Sequence, residues 1–404
     1  MSTPSNAATT AAVNQAKAAQ MNMALRNAWI QSAVEMKQPV YTATVNPAQI
    51  NPVQIQPRYV GLVKRFIIEI TGTITNNDAA NACALTDLGI ANILAAQNGI
   101  TFTDLSNNQR VNTGGWHLSF LNSIKHRKPY AAGFAVETDE MSAYGETFGV
   151  LSAPANIAAA GTANFRAVFE LPIAYSDDNL KGALPLNVVN ATAQISLLFN
   201  TQNLAAANGK DSTFSVYKFS AAGTNTCTLT SATVNVTQVY LDQGPRDPKT
   251  GAYLFPLDDV SVNYELKNTS LANIPANQDF PFQYPNFRDI LSTISIFNHD
   301  TSADAGRTAG TDVNYFEIQS ANYTAIQKLT PLLLSQINRE ILQTDLPKGC
   351  YHLSSRRKPI SSVQYGNITN VINASTSSVN SMWYLGLEMF NYPNIVVNAG
   401  SIQG

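Results

Sequence analysis

The sequence predicts an all-β protein: two antiparallel sandwiches in tandem behind a helical arm. Three observations carry this. Runs of strict apolar/polar alternation recur along most of the chain, the period-two signature of a sheet with one buried face. These runs are not interleaved with long amphipathic helices, so a parallel βαβ sheet is excluded. A break at 242–253, "DQGPRDPKTGAY", packs two prolines, two glycines and several charges between two strand-rich regions and reads as a linker.

Taken in order, residues 1–20 are rich in Ala, Asn, Thr and Gln and read as disordered or conditionally ordered. The stretch 17–37, "KAAQMNMALRNAWIQSAVEMK", has no Gly or Pro and predicts a helix. Met21, Leu25, Ala28, Trp29 and Met36 share one face of that helix. Met23, Ile30 and Val34 form a narrower stripe flanked by Arg26 and Lys37. Two readings stand: a terminal helix packed on its own domain, or an arm reaching a membrane or a neighbouring subunit.

After the Pro-punctuated segment 47–60, strands begin. Phe66, Ile68, Ile70 and Ile74 alternate with Arg65, Glu69, Thr71 and Thr73. Phe165, Ala167, Phe169, Leu171, Ile173 and Tyr175 repeat the pattern with Arg166 and Glu170 outward, and Ala193, Ile195, Leu197 and Phe199 repeat it again. Residues 230–242 are rich in β-branched side chains and predict a long strand. Short helices are expected at 85–97 and 115–124. Beyond the linker, Val260, Val262, Tyr264 and Leu266 open a second set of strands, with further strands in 287–298, 359–373 and 380–392. Thr330 and Pro331 place a helix start before "LLLSQINREIL". The ending "NIVVNAGSIQG" has neither pattern.

Of the 404 residues 45% are apolar, enough for large cores, but only 13% are charged, about half the usual ~25%. A surface this neutral suits a protein that buries much of itself against partners. A net charge of −2 argues against a nucleic-acid-coating protein, and direct sequence-specific nucleic-acid binding is not expected. Cys83, Cys227 and Cys350 are far apart and form no C-x-x-C, so neither a zinc knuckle nor a disulfide framework is indicated. The first twenty residues lack an apolar core of signal-peptide type, and no run of 18 apolar residues occurs.

Phosphate-binding, nucleophile-elbow and zinc-protease motifs are absent. "NTGGWHLSFLNSIKH" (112–126) holds His117 and His126, but no clustered ligand set accompanies them, and His299 and His352 stand alone. Trp116, Phe120 and Ile124 make His117 part of a short helix docked on a sheet. "SSRRKP" (354–359) reads as a solvated turn before Pro359. No catalytic residue, cofactor or metal is assigned.

Several segments then resemble a known family. "ITNNDAANACALTDLGIANIL" (74–94), "GGWHLSFLN" (114–122), "LPIAYSDDNLKGAL" (171–184), "VYLDQGP" (239–245), "AGTDVNY" (309–315), "TDLPKGCYHL" (344–353), "KPISSVQYGNI" (358–368) and "VNAGSI" (397–402) are similar, in the same order, to the major capsid proteins of tectiviruses, icosahedral phages with an internal membrane. The resemblance implies two tandem eight-stranded jelly rolls and a homotrimer forming a pseudo-hexagonal tile. It also implies an N-terminal helix on the membrane side and chain termini that join tiles. Little similarity is seen around 95–112 and 299–309, which the resemblance would make tower loops. Gly114 and Gly115 would turn the chain, and Trp116 would anchor the next helix.

The expected organisation is an N-terminal arm (1–45), a first jelly roll (46–246), a second (247–391) and a C-terminal arm (392–404). Met21, Leu25, Arg26, Trp29, Ile30 and Lys37 are the expected membrane or subunit contacts, and Ile395, Val396, Val397 and Ile402 the expected inter-tile tie. The expected partners are copies of the chain, the inner membrane of the virion, and vertex and minor capsid proteins, with assembly in the host cytoplasm. The competing reading is a jelly-roll carbohydrate-binding protein or glycosidase module, for which Asp177 and Asp178 form the nearest acidic pair.

Overall fold

The computed structural model describes residues 6–46, 51–126, 151–176, 178–186, 192–201, 204–210, 212–299, 306–307, 312–321, 326–342, 346–347, 349–375 and 381–392. Within them the chain forms helix α1 (Asn6–Ser32) and two barrels of eight strands. The first barrel comprises β1 (Val34–Val45), β2 (Val53–Ile55), β3 (Leu62–Asn76), β4 (Ile100–Thr103), β5 (Gln109–Thr113), β6 (Thr162–Pro172), β7 (Gln194–Leu197) and β8 (Cys227–Asp242). The second comprises β9 (Asn263–Ala272), β10 (Asp279–Gln283), β11 (Arg288–His299), β12 (Val313–Ser320), β13 (Gln327–Leu329), β14 (Cys350–Ser354), β15 (Ile368–Ala374) and β16 (Met382–Asn391). Helix α2 (Gly115–His126) follows β5, and α3 (Pro331–Leu342) follows β13.

The two barrels have one topology. In the first, one sheet runs β1-β8-β3-β6 and the opposing sheet β2-β7-β4-β5; in the second, β9-β16-β11-β14 opposes β10-β15-β12-β13. Counted within each barrel, both read 1-8-3-6 over 2-7-4-5, the jelly-roll order of two nested Greek keys. The likeness of the halves is thus carried by strand order. The barrels are also fused. β5 pairs in parallel with β9, matching Val111 with Leu266, so the second sheet of barrel one continues into the first sheet of barrel two.

Alternation places the cores. Phe66, Ile68, Ile70 and Ile74 of β3 and Phe165, Ala167, Phe169 and Leu171 of β6 face the first interior. Ile290, Phe297, Phe316, Trp383, Leu385 and Met389 fill the second. Strands β9, β11 and β16 are buried on both faces, because their outer face packs on barrel one: Tyr264, Leu291, Ile294 and Phe390 belong to the first core. That double burial is why Glu265 and Asn263, polar partners in an alternating pattern, are also buried.

Several expectations change. The helix ends at Ser32, and residues 34–45, expected in the arm, form β1, which pairs along β8 from Val34↔Asp242 to Val45↔Ala232. The first barrel therefore starts at Val34 rather than 46. Pairing with a long strand overrides the helix propensity of "AVEMK". The helix expected at 85–97 is only a 3-10 turn, Gly89–Ile93. The supposed tower at 95–112 is the β4–β5 hairpin, with Ile100, Phe102 and Val111 in the core. Most of 299–309 lies outside the described residues. Gly114 and Gly115 serve close approach: a Cβ would sit 2.2 Å from the Ala96 carbonyl oxygen at the first and 2.1 Å from that of Ala91 at the second.

Candidate assembly surfaces

The arm meets the body of the protein at the inter-barrel linker. Trp29, near the end of α1, is 0% exposed. Its Nε1 donates to the Leu254 carbonyl at 2.8 Å, and its ring stacks on Phe255 (5.4 Å, 10°) and tilts against Tyr253 (5.5 Å). A Cβ at residue 244 would meet that ring at 2.4 Å, so the glycine of "DQGP" is what admits it. Arg26, one turn earlier, donates from Nε and Nη2 to both carboxylate oxygens of Asp259, each at 2.5 Å. This fork-on-carboxylate pairing raises the guanidinium further, its hydrogen bond to Asp259 outweighing burial. Asn22 Oδ1 accepts the Leu257 N–H at 3.0 Å. One helix face is thus spent on the chain itself.

The other predicted contacts divide. Leu25 is half-buried beside Trp29, while Met21 (59% exposed), Met23 (56%) and Ile30 remain open on the shoulders of the docked face. Residues 13–20 are all exposed. Met36 and Lys37 are not on the helix. Met36 packs on the first core from β1, and Lys37 lies exposed 3.5 Å from Glu35. Arg26 and Lys37 therefore do not share a stripe, because the turn into β1 at Ala33 separates them. Ile395, Val396, Val397 and Ile402 lie outside the described residues. Just before them, Tyr392 donates its hydroxyl proton to Asp289 at 2.8 Å and accepts from Lys181 Nζ at 2.5 Å, tying the end of β16 to barrel one.

His117 and His352 are architecture. His117 is fully buried, its Nδ1 2.6 Å from Thr113 Oγ1. Burial depresses its pKa to about 3, against a small opposing pull from Glu388. His352 on β14, isolated in sequence, lies in the same buried region: burial, helped by the Arg356 charge, holds it at about 3. At the centre is Glu388, which accepts from Arg356 Nε (2.9 Å) and Nη2 (3.0 Å), from Tyr264 Oη (2.6 Å) and from Ser292 Oγ (2.6 Å). "SSRRKP" is therefore a solvated turn only at Arg357 and Lys358; Arg356 is a half-buried counter-ion. Glu170, expected outward, is buried against Lys125, His126 (3.4 Å) and Arg65 (3.8 Å). Trp116 does anchor α2, donating to the Ala96 carbonyl at 3.0 Å. Among the described residues no cluster of His, Cys, Asp and Glu could hold a metal, and no helix is long and apolar enough to cross a membrane. Asp178 sits in a small turn closed by the Ser176–Asn179 bridge, and Asp177 lies outside the described residues.

The outer face of the β1-β8-β3-β6 sheet carries polar side chains in register. Cross-strand rows run Thr44–Thr233–Thr71–Arg166, Thr42–Asn235–Glu69 and Ser231–Thr73–Asn164. Their hydroxyls bond one another, as in Thr75–Thr230 (2.6 Å) and Thr44–Thr233 (3.3 Å), and Arg166–Glu69 (2.7 Å) is an ion pair on it.

Family profiles match both halves: "P3 major capsid protein N-terminal" over residues 3–244 and "P3 major capsid protein C-terminal" over 261–404. The chain belongs to the P3 major capsid protein family. It is 36% identical over 394 residues to the major capsid protein P3 of Enterobacteria phage PRD1, covering 97% of this chain and 96% of that one. Two solved structures share the fold at 12% identity. The major capsid protein of Sulfolobus Turreted Icosahedral Virus has a TM-score of 0.61 over 89% of this chain and 97% of that chain. PBCV-1 VP54, as fitted into a reconstruction of the virophage Sputnik, scores 0.51 over 89% and 94%. As a member of this family the chain is a structural protein of a phage coat and self-assembles into it; it is not an enzyme. The double jelly roll is the fold shared with those structures, and the glycosidase reading has only weak support beside the family match.

Proposed function

We propose that three copies close into a six-barrel, pseudo-hexagonal tile, and that tiles form an icosahedral shell around an internal membrane. The observation that carries this is the sheet continuity at β5–β9. Inside one chain, the second sheet of barrel one runs into the first sheet of barrel two. The chain is left with an unmatched first sheet at one end, β1-β8-β3-β6, and an unmatched second sheet at the other, β10-β15-β12-β13. Joining the two between copies repeats the internal relation, and three copies close the ring without an open edge. The open face of β1-β8-β3-β6 measures roughly 700 Å² at ~4.8 Å per strand and ~3.3 Å per residue, close to the ~800 Å² per partner of a stable interface. Its threonines desolvate at low cost compared with charges.

On this reading the exposed shoulders of α1, with Met21, Met23 and Ile30, meet the virion membrane or a neighbouring subunit, and residues 393–404 reach the next tile. Vertex and minor capsid proteins fill the positions that trimers cannot, and assembly takes place in the host cytoplasm. The test is native mass measurement of wild type and of Thr71→Lys/Thr233→Lys. Wild type should be trimeric at micromolar concentration and the variant largely monomeric with its β-sheet circular dichroism retained. Unaltered trimers in the variant would remove this sheet from the interface.

A further inference from the structure

Cys83 and Cys227 are 144 positions apart in sequence, yet their Sγ atoms lie 3.8 Å apart, van der Waals contact between two thiols. Cys83 is on the short strand Cys83–Leu85, which pairs with Tyr217–Phe219 and Asn156–Ile157; Cys227 opens β8, paired with Asn76 of β3. The contact therefore joins β8 to a small separate sheet of short strands at one end of barrel one. Both residues are buried, but residues 221–224 just before Cys227 are exposed, so the pair lies one short loop below the surface. That loop is held by Asp78, whose Oδ2 accepts the Asn225 N–H at 3.0 Å.

We propose that Cys83 and Cys227 form an intramolecular disulfide when the protein leaves a reducing compartment, a modification that locks barrel one after assembly. The bond needs the sulfurs to close from 3.8 Å to ~2.05 Å, a movement of under about 2 Å. The hydrogen bond from its neighbour lowers the Cys83 thiol, while the same contact and burial push Cys227 up. Cys83 is the attacking group. Its thiolate attacks a low-molecular-weight disulfide such as glutathione disulfide and releases one glutathione thiolate. Cys227 then loses its proton, attacks the Cys83 sulfur of the mixed disulfide and releases the second. Two thiols become one disulfide, one glutathione disulfide becomes two glutathiones, and the two protons go to the departing thiolates.

Chains made in a cytosol are reduced, whereas released particles meet oxidising surroundings. The biological timing rests on the capsid reading; the chemistry does not. Burial makes the exchange slow, which suits a bond that forms after a shell is complete. The consequence is resistance to loss of β8, the long central strand, because the cross-link joins it to the small sheet of Cys83–Leu85 across a 144-residue loop.

The test uses the purified full chain, treated in its native state with glutathione disulfide or diamide and mapped as peptides without reduction. The expected result is a Cys83–Cys227 linked peptide, a loss of two hydrogens per chain, and a melting temperature higher by roughly 5–10 °C than the reduced protein. Cys83→Ser and Cys227→Ser should each abolish the linkage, and Cys350→Ser should leave it. Wild type alone keeps the proposal at risk should a serine variant fail to fold. If native wild type yields no linked peptide, while both cysteines alkylate readily once unfolded, the pair is only a packed contact. Linkage without a rise in melting temperature would equally overturn the locking role.

Discussion

The imidazole of His117 packs against Gly386: a Cβ built on residue 386 would come within 2.4 Å of the ring Cδ2 and 2.7 Å of Nε2. Gly386 is in the middle of β16, where glycine weakens a strand, so its presence there reports a close approach. The contact sets the distance between α2 of barrel one and the shared sheet. Gly386→Ala should destabilise the protein by about 1–3 kcal/mol through overpacking. His117→Ala should itself be destabilising, and the double variant should cost less than the sum of the two. Denaturant titration of all four proteins measures this; strict additivity would mean the two residues do not press on each other.

The same buried region fixes how the protein fails in acid. His117 and His352 are held neutral by burial, at about 3 in the folded state against an ordinary 6.5, with Glu388 and Arg356 the charges facing them. Between those values the unfolded chain binds protons that the folded chain does not. Their contribution is therefore complete above pH 6.5 and falls as pH drops from 6.5 toward 3, by about 2 kcal/mol per histidine at pH 5. Glu170 adds a lower window. Burial alone would raise its carboxyl, but the His126 hydrogen bond and the Lys125 and Arg65 charges hold it at about 2, so its contribution is lost between pH 4.5 and 2. His352→Gln should roughly halve the slope of the stability curve between pH 6.5 and 4.5, where only His117 would still contribute, and leave the Glu170 loss between 4.5 and 2 in place. An unaltered slope in that upper window would show that His352 protonates freely in the fold.

Much of this is legible in the sequence, and where the pattern misleads, the causes are physical. Alternation locates β3, β6 and β8 because each has one face in the core and one in the open, which is what period two reports. It misjudges Glu170, because Lys125 and His126 at the end of α2 and Arg65 cover that end of β6, and Glu265, because β9 is buried on both sides and still alternates in polarity. β1 escapes the pattern because Pro39 interrupts it, at a bulge in its pairing with β8, and its first residues are good helix formers. Trp29 stands out as an arm contact, yet its partners Leu254 and Phe255 lie over two hundred residues away, beyond any local pattern. The spacing of Cys83 and Cys227 suggests no relation between them, and only the meeting of two sheets brings them together.

The clasp between α1 and the linker gives a third prediction. Asp259 is buried, so removing Arg26 strands a carboxylate. Arg26→Met should cost about 3 kcal/mol or more, whereas Arg26→Met/Asp259→Leu should recover much of it. Trp29→Ala should cost ~3–5 kcal/mol by opening a cavity among Leu62, Leu180 and Leu241. Limited proteolysis should then cut within 243–257 in the single variants and not in wild type. Wild-type resistance in Trp29→Ala would mean that the linker is held without the arm.

At the other end, Tyr392 is bonded to Asp289 and Lys181 and belongs to the barrels, so the proposed tie begins at 393. Deleting residues 393–404 should leave trimers at normal yield and melting temperature while lowering the yield of closed shells at least several-fold. Deleting Tyr392 as well should also lower the melting temperature. Normal shell yield from the shorter deletion would show that the C-terminal residues do not join tiles.

The last prediction concerns what the arm touches. Arg26 is committed to Asp259 and Lys37 lies on β1, so neither can be the positive stripe of a membrane-facing helix. Lys17 remains, exposed among uncharged residues on the part of α1 that the barrels do not cover, and α1 carries no acidic residue at all. With Met21 and Met23 it offers one charge and two flexible apolar side chains to a partner. A single lysine at an anionic surface is worth about 1 kcal/mol and is screened by salt, so one copy binds weakly and a shell binds through many copies. Isolated trimers should therefore bind anionic vesicles poorly, and assembled arrays well at low salt. Lys17→Glu/Met21→Ser/Met23→Ser should leave the Trp29 clasp, the trimer and the melting temperature unchanged, and should reduce binding of arrays to anionic vesicles at least tenfold. If the triple variant binds vesicles as wild type does but forms arrays poorly, the exposed shoulders of α1 meet a neighbouring subunit, and the membrane is held elsewhere.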